Sequence, residues 1–241
     1  MPTTLKNEAA IAGIGQTEFS KNSGRSELQL ACEAIKAALD DCGLEPGKVD
    51  GLTTFTMDTN DEVEVAQAVG LGDLKFYSRI PYGGGAAIGV VQQAVMAVAT
   101  GVADYVVVYR AFNERSGHRY STGIADGIVT ADLIHWSWYL PFGLLTPASW
   151  VAMFTQRYIH DYGLDPLDLA RVAVSTRKYA VNNPNAFFYG KELSIEDHQA
   201  SRWIVEPLRL FDCCQETDGG CACIITTPER ARDLKQKPAI I

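Results

Sequence analysis

Phe76-Tyr77-Ser78-Arg79-Ile80-Pro81-Tyr82-Gly83-Gly84-Gly85 runs straight into Ala86-Ala87-Ile88-Gly89-Val90-Val91-Gln92-Gln93-Ala94-Val95-Met96-Ala97-Val98, and this stretch decides the fold. It reads as a strand, a glycine turn and a helix that is apolar almost all round. Only Gln92 and Gln93 give the helix a polar edge, whereas a helix lying on one face of a sheet shows a broad hydrophilic stripe. Both sides of it therefore need cover. Glycines at its start let a ligand approach backbone N–H groups that carry the positive end of the helix dipole, a place suited to an oxyanion or a thioester oxygen. Gly83, Gly84 and Gly85 are thus candidate substrate-binding residues; the plainer reading is a tight strand-to-helix turn.

Outward from this stretch the chain alternates strands and helices. Residues 8–15 read as a first, central strand, and Ser26 caps a helix over 27–41 whose Leu28, Ala31, Ile35, Ala38 and Leu39 share one face. A second strand over 49–56 leads through Met57-Asp58-Thr59-Asn60 to a short helix over 61–69. After the buried helix, Asp104-Tyr105-Val106-Val107-Val108-Tyr109-Arg110 is a nearly continuous apolar run, as in a sheet covered on both faces. Crossovers of this length imply a mixed sheet with helices on both sides. Gly13-Ile14-Gly15 lacks the third glycine and the acidic residue of a dinucleotide fingerprint, so that reading is rejected.

From residue 113 to 146 the sequence is irregular and aromatic, with His135, Trp136, Trp138, Tyr139 and Phe142, and is read as a substrate or partner surface. Helices over 147–162 and 166–181 follow, then a strand over 221–226 and a short helix opened by Thr227-Pro228. The apolar, strand-like Lys237-Pro238-Ala239-Ile240-Ile241 gives the end of the chain the look of a truncation.

A net charge of -8 without a basic cluster argues against a nucleic-acid surface. Apolar runs are broken before they could span a bilayer, and no secretory signal opens the chain, so a cytoplasmic protein with reduced thiols is expected. Four of the six cysteines crowd into Cys213-Cys214-Gln215-Glu216-Thr217-Asp218-Gly219-Gly220-Cys221-Ala222-Cys223. That spacing suits zinc poorly; Cys221 and Cys223 read as small buried strand residues, and no metal is expected. Arg110, Arg115 and Arg119 have the forked donors that suit the phosphates of coenzyme A, although pairing with Glu114 and Asp126 would explain them equally well. Asn113 is a candidate donor near the glycine turn. His118 is a candidate acid or base, or a plain surface histidine.

Strand, small-residue turn, buried helix, Thr100-Gly101-Val102-Ala103-Asp104 and a valine-rich strand resemble the N-terminal half of the thiolase superfamily, and Asp218-Gly219-Gly220 resembles its Asp-Gly-Ala signature. The resemblance implies a thiolase-like α/β fold over residues 1–241, with one mixed five-stranded sheet, a loop and helical insertion at about 111–207, and an absent C-terminal half. A thiolase has its nucleophilic cysteine where Gly84 stands here, which excludes acyl-enzyme chemistry at the usual place.

A narrower resemblance, carried by Phe19-Ser20-Lys21-Asn22-Ser23-Gly24-Arg25-Ser26, Tyr82-Gly83-Gly84-Gly85, Tyr109-Arg110-Ala111-Phe112-Asn113-Glu114-Arg115-Ser116-Gly117 and Phe211-Asp212-Cys213-Cys214-Gln215-Glu216-Thr217-Asp218-Gly219, is to bacterial lipid-transfer-protein-type steroid side-chain aldolases. It implies retro-aldol cleavage of a 17-hydroxy steroid acyl-CoA to a 17-keto steroid and propionyl-CoA. It also implies no cofactor beyond the coenzyme A of the substrate, a homodimeric core, and an OB-fold partner protein that completes a heterotetramer. The family's acid and base residues belong to the C-terminal half. Alternatives are a thiolase-type acyltransferase and a non-catalytic acyl-CoA or sterol-binding scaffold.

Overall fold

The computed structural model describes residues 4–55, 60–80, 85–117 and 137–241. The chain divides into two compact units, one of residues 1–116 with 217–241 and one of residues 117–216. Among the described residues no helix is long and apolar enough to cross a membrane.

The first unit is built on a six-stranded mixed sheet of β1 (Ala10–Gln16), β2 (Gly51–Phe55), β3 (Phe76–Ile80), β4 (Tyr105–Asn113), β7 (Asp218–Thr226) and β8 (Ala239–Ile240), in the order β3-β2-β4-β7-β1-β8. β2 runs parallel to β3 and β4, and the other pairings are antiparallel. Two expectations are corrected here. The sheet has six strands rather than five, because the apolar end of the chain pairs Ile240 with Ala10 and Ala239 with Ile11. β1 is not central: β4 and β7 pair over their full length, from Tyr105 with Thr226 to Asn113 with Asp218, and take the middle of the sheet.

Strand alternation divides the core in two. Val107, Tyr109, Ala111, Ala222 and Ile224 face α1 (Glu27–Cys42) and α2 (Glu62–Val69), while Val106, Val108 and Ile225 face α3 (Ala86–Ala99). Ser26 caps α1 as expected, accepting from the Gln29 N–H at 3.1 Å. A short α7 (Pro228–Arg232) follows β7 and buries Ala231 with the α1 core. Asp50 ties the start of β4 to the strand beside it, accepting from the N–H groups of Asp104 at 2.8 Å and Tyr105 at 2.9 Å.

Gly13 and Gly15 serve the packing of α1. A Cβ on Gly15 would lie 2.3 Å from the Ala34 carbonyl oxygen and from the Ala38 nitrogen, both backbone atoms with no freedom to move aside. The pair that superficially suggested a nucleotide fold is therefore the place where helix and strand backbones meet.

α3 lies on the sheet through Ala86, Val90, Ala94, Val95, Ala97 and Val98. Its other side carries Ile88, 75% exposed, then Gln92 and then Met96, 47% exposed, at one-turn spacing. That side is the mainly apolar stripe expected of a helix built for a second covering layer.

In the second unit, α4 (Pro147–Tyr162), α5 (Pro166–Val181) and α6 (Ile195–Ala200) precede a two-stranded sheet of β5 (Trp203–Val205) and β6 (Leu208–Arg209). Asp165 and Asp168 close a capping box on α5, and Ser194 and Asp197 close another on α6. Buried His198 bonds Asp212 at 2.7 Å, whose second oxygen accepts from the Arg209 N–H at 2.7 Å, joining α6 to the turn after β6. Val151, Phe154, Tyr158 and Tyr162 form an exposed row along α4, and Trp138 and Phe142 are exposed before it.

Replacing Gly15 by alanine should cost about 3 kcal/mol, because a methyl group has to be forced between two backbones. Urea unfolding measures it. An unchanged midpoint would mean that α1 does not make this approach.

Candidate functional site

The carboxyl ends of β2, β3 and β4 point the same way, and in open α/β sheets that edge is where ligands bind. Phe55 pairs with Ile80, and the β2–β4 register, which aligns Thr53 with Val108, brings Phe55 level with Arg110. Arg110 pairs with Cys221 of β7, and Cys221 with Gln16 of β1. Ile80, Phe55, Arg110, Cys221 and Gln16 thus form one row across the sheet. Alternation directs the row to the α3 side, where Ile80 and Phe55 pack in the α3 core. The first turn of α3 sits over this row, since a Cβ on Gly89 would lie 3.0 Å from the Ile80 Cδ1.

Arg110 is held in the row by aromatic faces. Its guanidinium carbon is 4.9 Å from the ring centre of Phe55 and 4.8 Å from that of Phe112, and one nitrogen donates to the Phe55 carbonyl at 3.4 Å. Ring faces at this distance attract a guanidinium and hold its orientation. Gly85, the N-cap residue of α3, is exposed, has an ordinary right-handed conformation and would find no atom within 4 Å of an added Cβ. Neither backbone geometry nor packing against the described residues requires glycine there.

Five of the six cysteines are disfavoured as thiolates. Burial is the largest cause raising the thiols of Cys32, Cys42, Cys213, Cys221 and Cys223 above their ordinary value, and Cys223 is pushed up to about 12, with Cys221 beside it adding to the effect. At Cys221 the Arg110 cation works in the opposite direction without overcoming burial. Cys221 is nonetheless surface-exposed, which corrects the expectation of a buried strand residue. Among the described residues no group of three or more His, Cys, Asp or Glu could hold a metal ion.

On the α1 side of the same strand ends, Asp218 gathers the loops. Fully buried, its carboxylate accepts from the N–H groups of Arg115 and Ser116 at 2.9 Å each and of Ser23 at 2.9 Å, and from the Ser116 hydroxyl. Burial alone would raise its pKa, but these donors together outweigh it and hold the carboxyl below the usual range. The two glycines after it are steric requirements. A Cβ on Gly219 would strike the Phe19 ring at 2.5 Å, and one on Gly220 the Leu30 carbonyl oxygen at 2.7 Å.

The residues expected to form the site separate accordingly. Asn113 does not reach toward α3: its amide donates to the Arg25 carbonyl at 2.7 Å and accepts from the Ser23 hydroxyl at 3.0 Å, on the α1 side. Arg115 is fixed through its backbone by Asp218. Gly83, Gly84, His118, Arg119, Asp126, His135 and Trp136 lie outside the described residues. Phe55 and Phe112 were not singled out in the sequence, although the alternation Val106, Val108, Arg110, Phe112 carries the signal for the second.

The layout of the sheet and its covering helices is a thiolase-like α/β fold. The acetyl-CoA acetyltransferase of Syntrophomonas wolfei superposes with a TM-score of 0.68 at 14% identity, over 95% of this chain and 66% of that one, which speaks to fold alone. More narrowly, the chain is 62% identical over 99% of its length to the steroid side-chain-cleaving aldolase of Thermomonospora curvata. It is 60% identical over 98% of its length to the 17-hydroxy-3-oxo-4-pregnene-20-carboxyl-CoA lyase of Mycobacterium tuberculosis. Among solved structures, the Ltp2-ChsH2(DUF35) aldolase matches with a TM-score of 0.90 at 62% identity, over 99% of this chain and 60% of that one. The chain spans 62% of the length of both curated relatives. No family model matches it.

Because Asp218 has a depressed folded pKa, its stabilisation is complete above the unfolded value near pH 4 and is lost as pH falls through the lower folded value. Asp218→Asn should lower stability at pH 7 by about 2–3 kcal/mol and flatten the acid limb of a stability–pH curve. Thermal unfolding between pH 3 and pH 7 checks both; parallel curves for the two proteins would contradict the role of the carboxylate.

Proposed function

We propose that this chain forms the N-terminal, thiolase-like half of an aldolase that cleaves a 17-hydroxy steroid side-chain acyl-CoA thioester to a 17-keto steroid and propionyl-CoA. The observation that carries the reading is chemical: Gly84 stands where a thiolase has its nucleophile, and burial pushes the thiols of five of the six cysteines away from the thiolate. A site without a nucleophile suits a retro-aldol step. That step needs a base for the hydroxyl proton and positive potential at the thioester oxygen, where an enolate develops. Backbone N–H groups at the start of α3 are suited to the second task. The base and acid would come from sequence beyond this half, as would the second layer over Ile88 and Met96. Names of relatives at 60–62% identity support the substrate class.

Coenzyme A enters this reading as part of the substrate, in keeping with a cytoplasmic enzyme and with no separate cofactor. Arg115 and Arg119 are offered as contacts for its phosphates. Among the described residues β3 ends the strand order of the sheet, and its outer side is the proposed dimer seam. An OB-fold protein of the DUF35 kind, as the matching aldolase structure carries in its name, would complete a heterotetramer.

The test is propionyl-CoA release by the full-length protein with its partner. Replacing Cys213 and Cys214 by alanine should leave turnover within about tenfold, roughly 1.4 kcal/mol of barrier, whereas Gly84→Val should abolish it. Mass spectrometry showing an acylated cysteine during turnover would return the protein to thiolase chemistry. A particle mass other than two copies of each subunit would overturn the assembly.

A further inference from the structure

We propose that Arg110 is a catalytic residue of this site, its guanidinium supplying the fixed positive charge that stabilises the thioester enolate. The inference rests on the aldolase reading and adds to it a side chain that the backbone donors alone do not provide.

Position is the first argument. Arg110 lies in the row that crosses the sheet at the carboxyl ends of the three parallel strands, level with Phe55, which itself pairs with Ile80 under the first turn of α3. Alternation along β4 puts its side chain on the α3 side, opposite to Asn113 and the Asp218 corner. A strand interior that otherwise reads Val106, Val107, Val108, Tyr109, Ala111 and Phe112 holds one cation, at the level where substrate would enter.

Environment is the second. A phosphate-binding arginine works at a wet surface, but here the guanidinium carbon lies 4.9 Å from the Phe55 ring centre and 4.8 Å from that of Phe112, and the residue is only partly exposed. Beside the two rings the guanidinium is already oriented, so it can act on charge that develops nearby without reorganising during the reaction. Its influence extends to the neighbouring strand, where it opposes the upward shift of the Cys221 thiol.

The step balances without an added reagent. A base takes the hydroxyl proton, the carbon–carbon bond to the carbinol carbon breaks, the hydroxyl oxygen becomes the ketone, and the bonding electrons move into the thioester as an enolate. The enolate then takes a proton at its α-carbon. Arg110 acts only while the negative charge rests on the thioester oxygen, so its removal should fall on kcat.

The experiment uses the full-length protein with its partner and the 17-hydroxy steroid acyl-CoA, comparing wild type with Arg110→Met, Arg110→Lys and Arg110→Ala. The methionine variant should lose about a hundredfold or more in kcat with KM within about threefold. Arg110→Lys should fall in between, and added guanidinium should restore part of the activity of Arg110→Ala. A kcat close to wild type in Arg110→Met overturns the proposal. So does a rise confined to KM, which would make Arg110 a phosphate contact, or a loss in Arg110→Ala that guanidinium leaves untouched. Absence of propionyl-CoA from the wild-type reaction would instead overturn the aldolase reading itself.

Discussion

The pairing of β4 with β7 is the seam on which the rest of the first unit depends. Nine residues of each strand align, and between them the chain makes its whole excursion through residues 117–216. Closing a loop of that length costs of order 4 kcal/mol in chain entropy. The Asp218 carboxylate, bonded to the first residues of the departing chain and to Ser23, lies where the loop closes, and its charge-assisted bonds offset that cost. The same seam sets Arg110 opposite Cys221 and so fixes the row at the candidate site.

The two sides of the sheet end have separate tasks. On the α1 side, close backbone approaches at Gly13, Gly15 and Gly220 and the Asp218 corner make a rigid support. On the α3 side the same strand ends present a cation close to two aromatic rings, and α3 carries the exposed Ile88 and Met96. Rigid support behind and open polar chemistry in front is the arrangement that electrostatic catalysis needs, since donors fixed in advance need no reorganisation during the reaction. Burial raises the thiols of Cys32, Cys42, Cys213, Cys221 and Cys223 above their ordinary value.

Much of this was legible in the chain. The apolar run of residues 86–98 marked the helix that packs on the sheet, and Ser26, Asp61, Pro147 and Pro166 marked helix starts that the structure keeps. Spatial strand order was not legible, because a central and a near-edge strand can have the same apolar pattern; residues 8–15 therefore looked central. The two-residue strand at Ala239–Ile240 was too short to count by periodicity. Asn113 was misassigned for a different reason: its position in the chain is beside Arg110, but strand alternation turns the two to opposite faces, and its amide is consumed by Ser23 and Arg25. Parity along β4 would have separated them.

Dependence on free coenzyme A tests the central claim most directly, because thiolysis consumes a second thiol and a retro-aldol step does not. The full-length protein with its partner, given the 17-hydroxy steroid acyl-CoA in D2O with free coenzyme A scavenged, should cleave it at an undiminished rate. The propionyl-CoA formed should carry one deuterium at the carbon next to the thioester. Cleavage that stops without free coenzyme A, or product without deuterium at that carbon, would contradict the account.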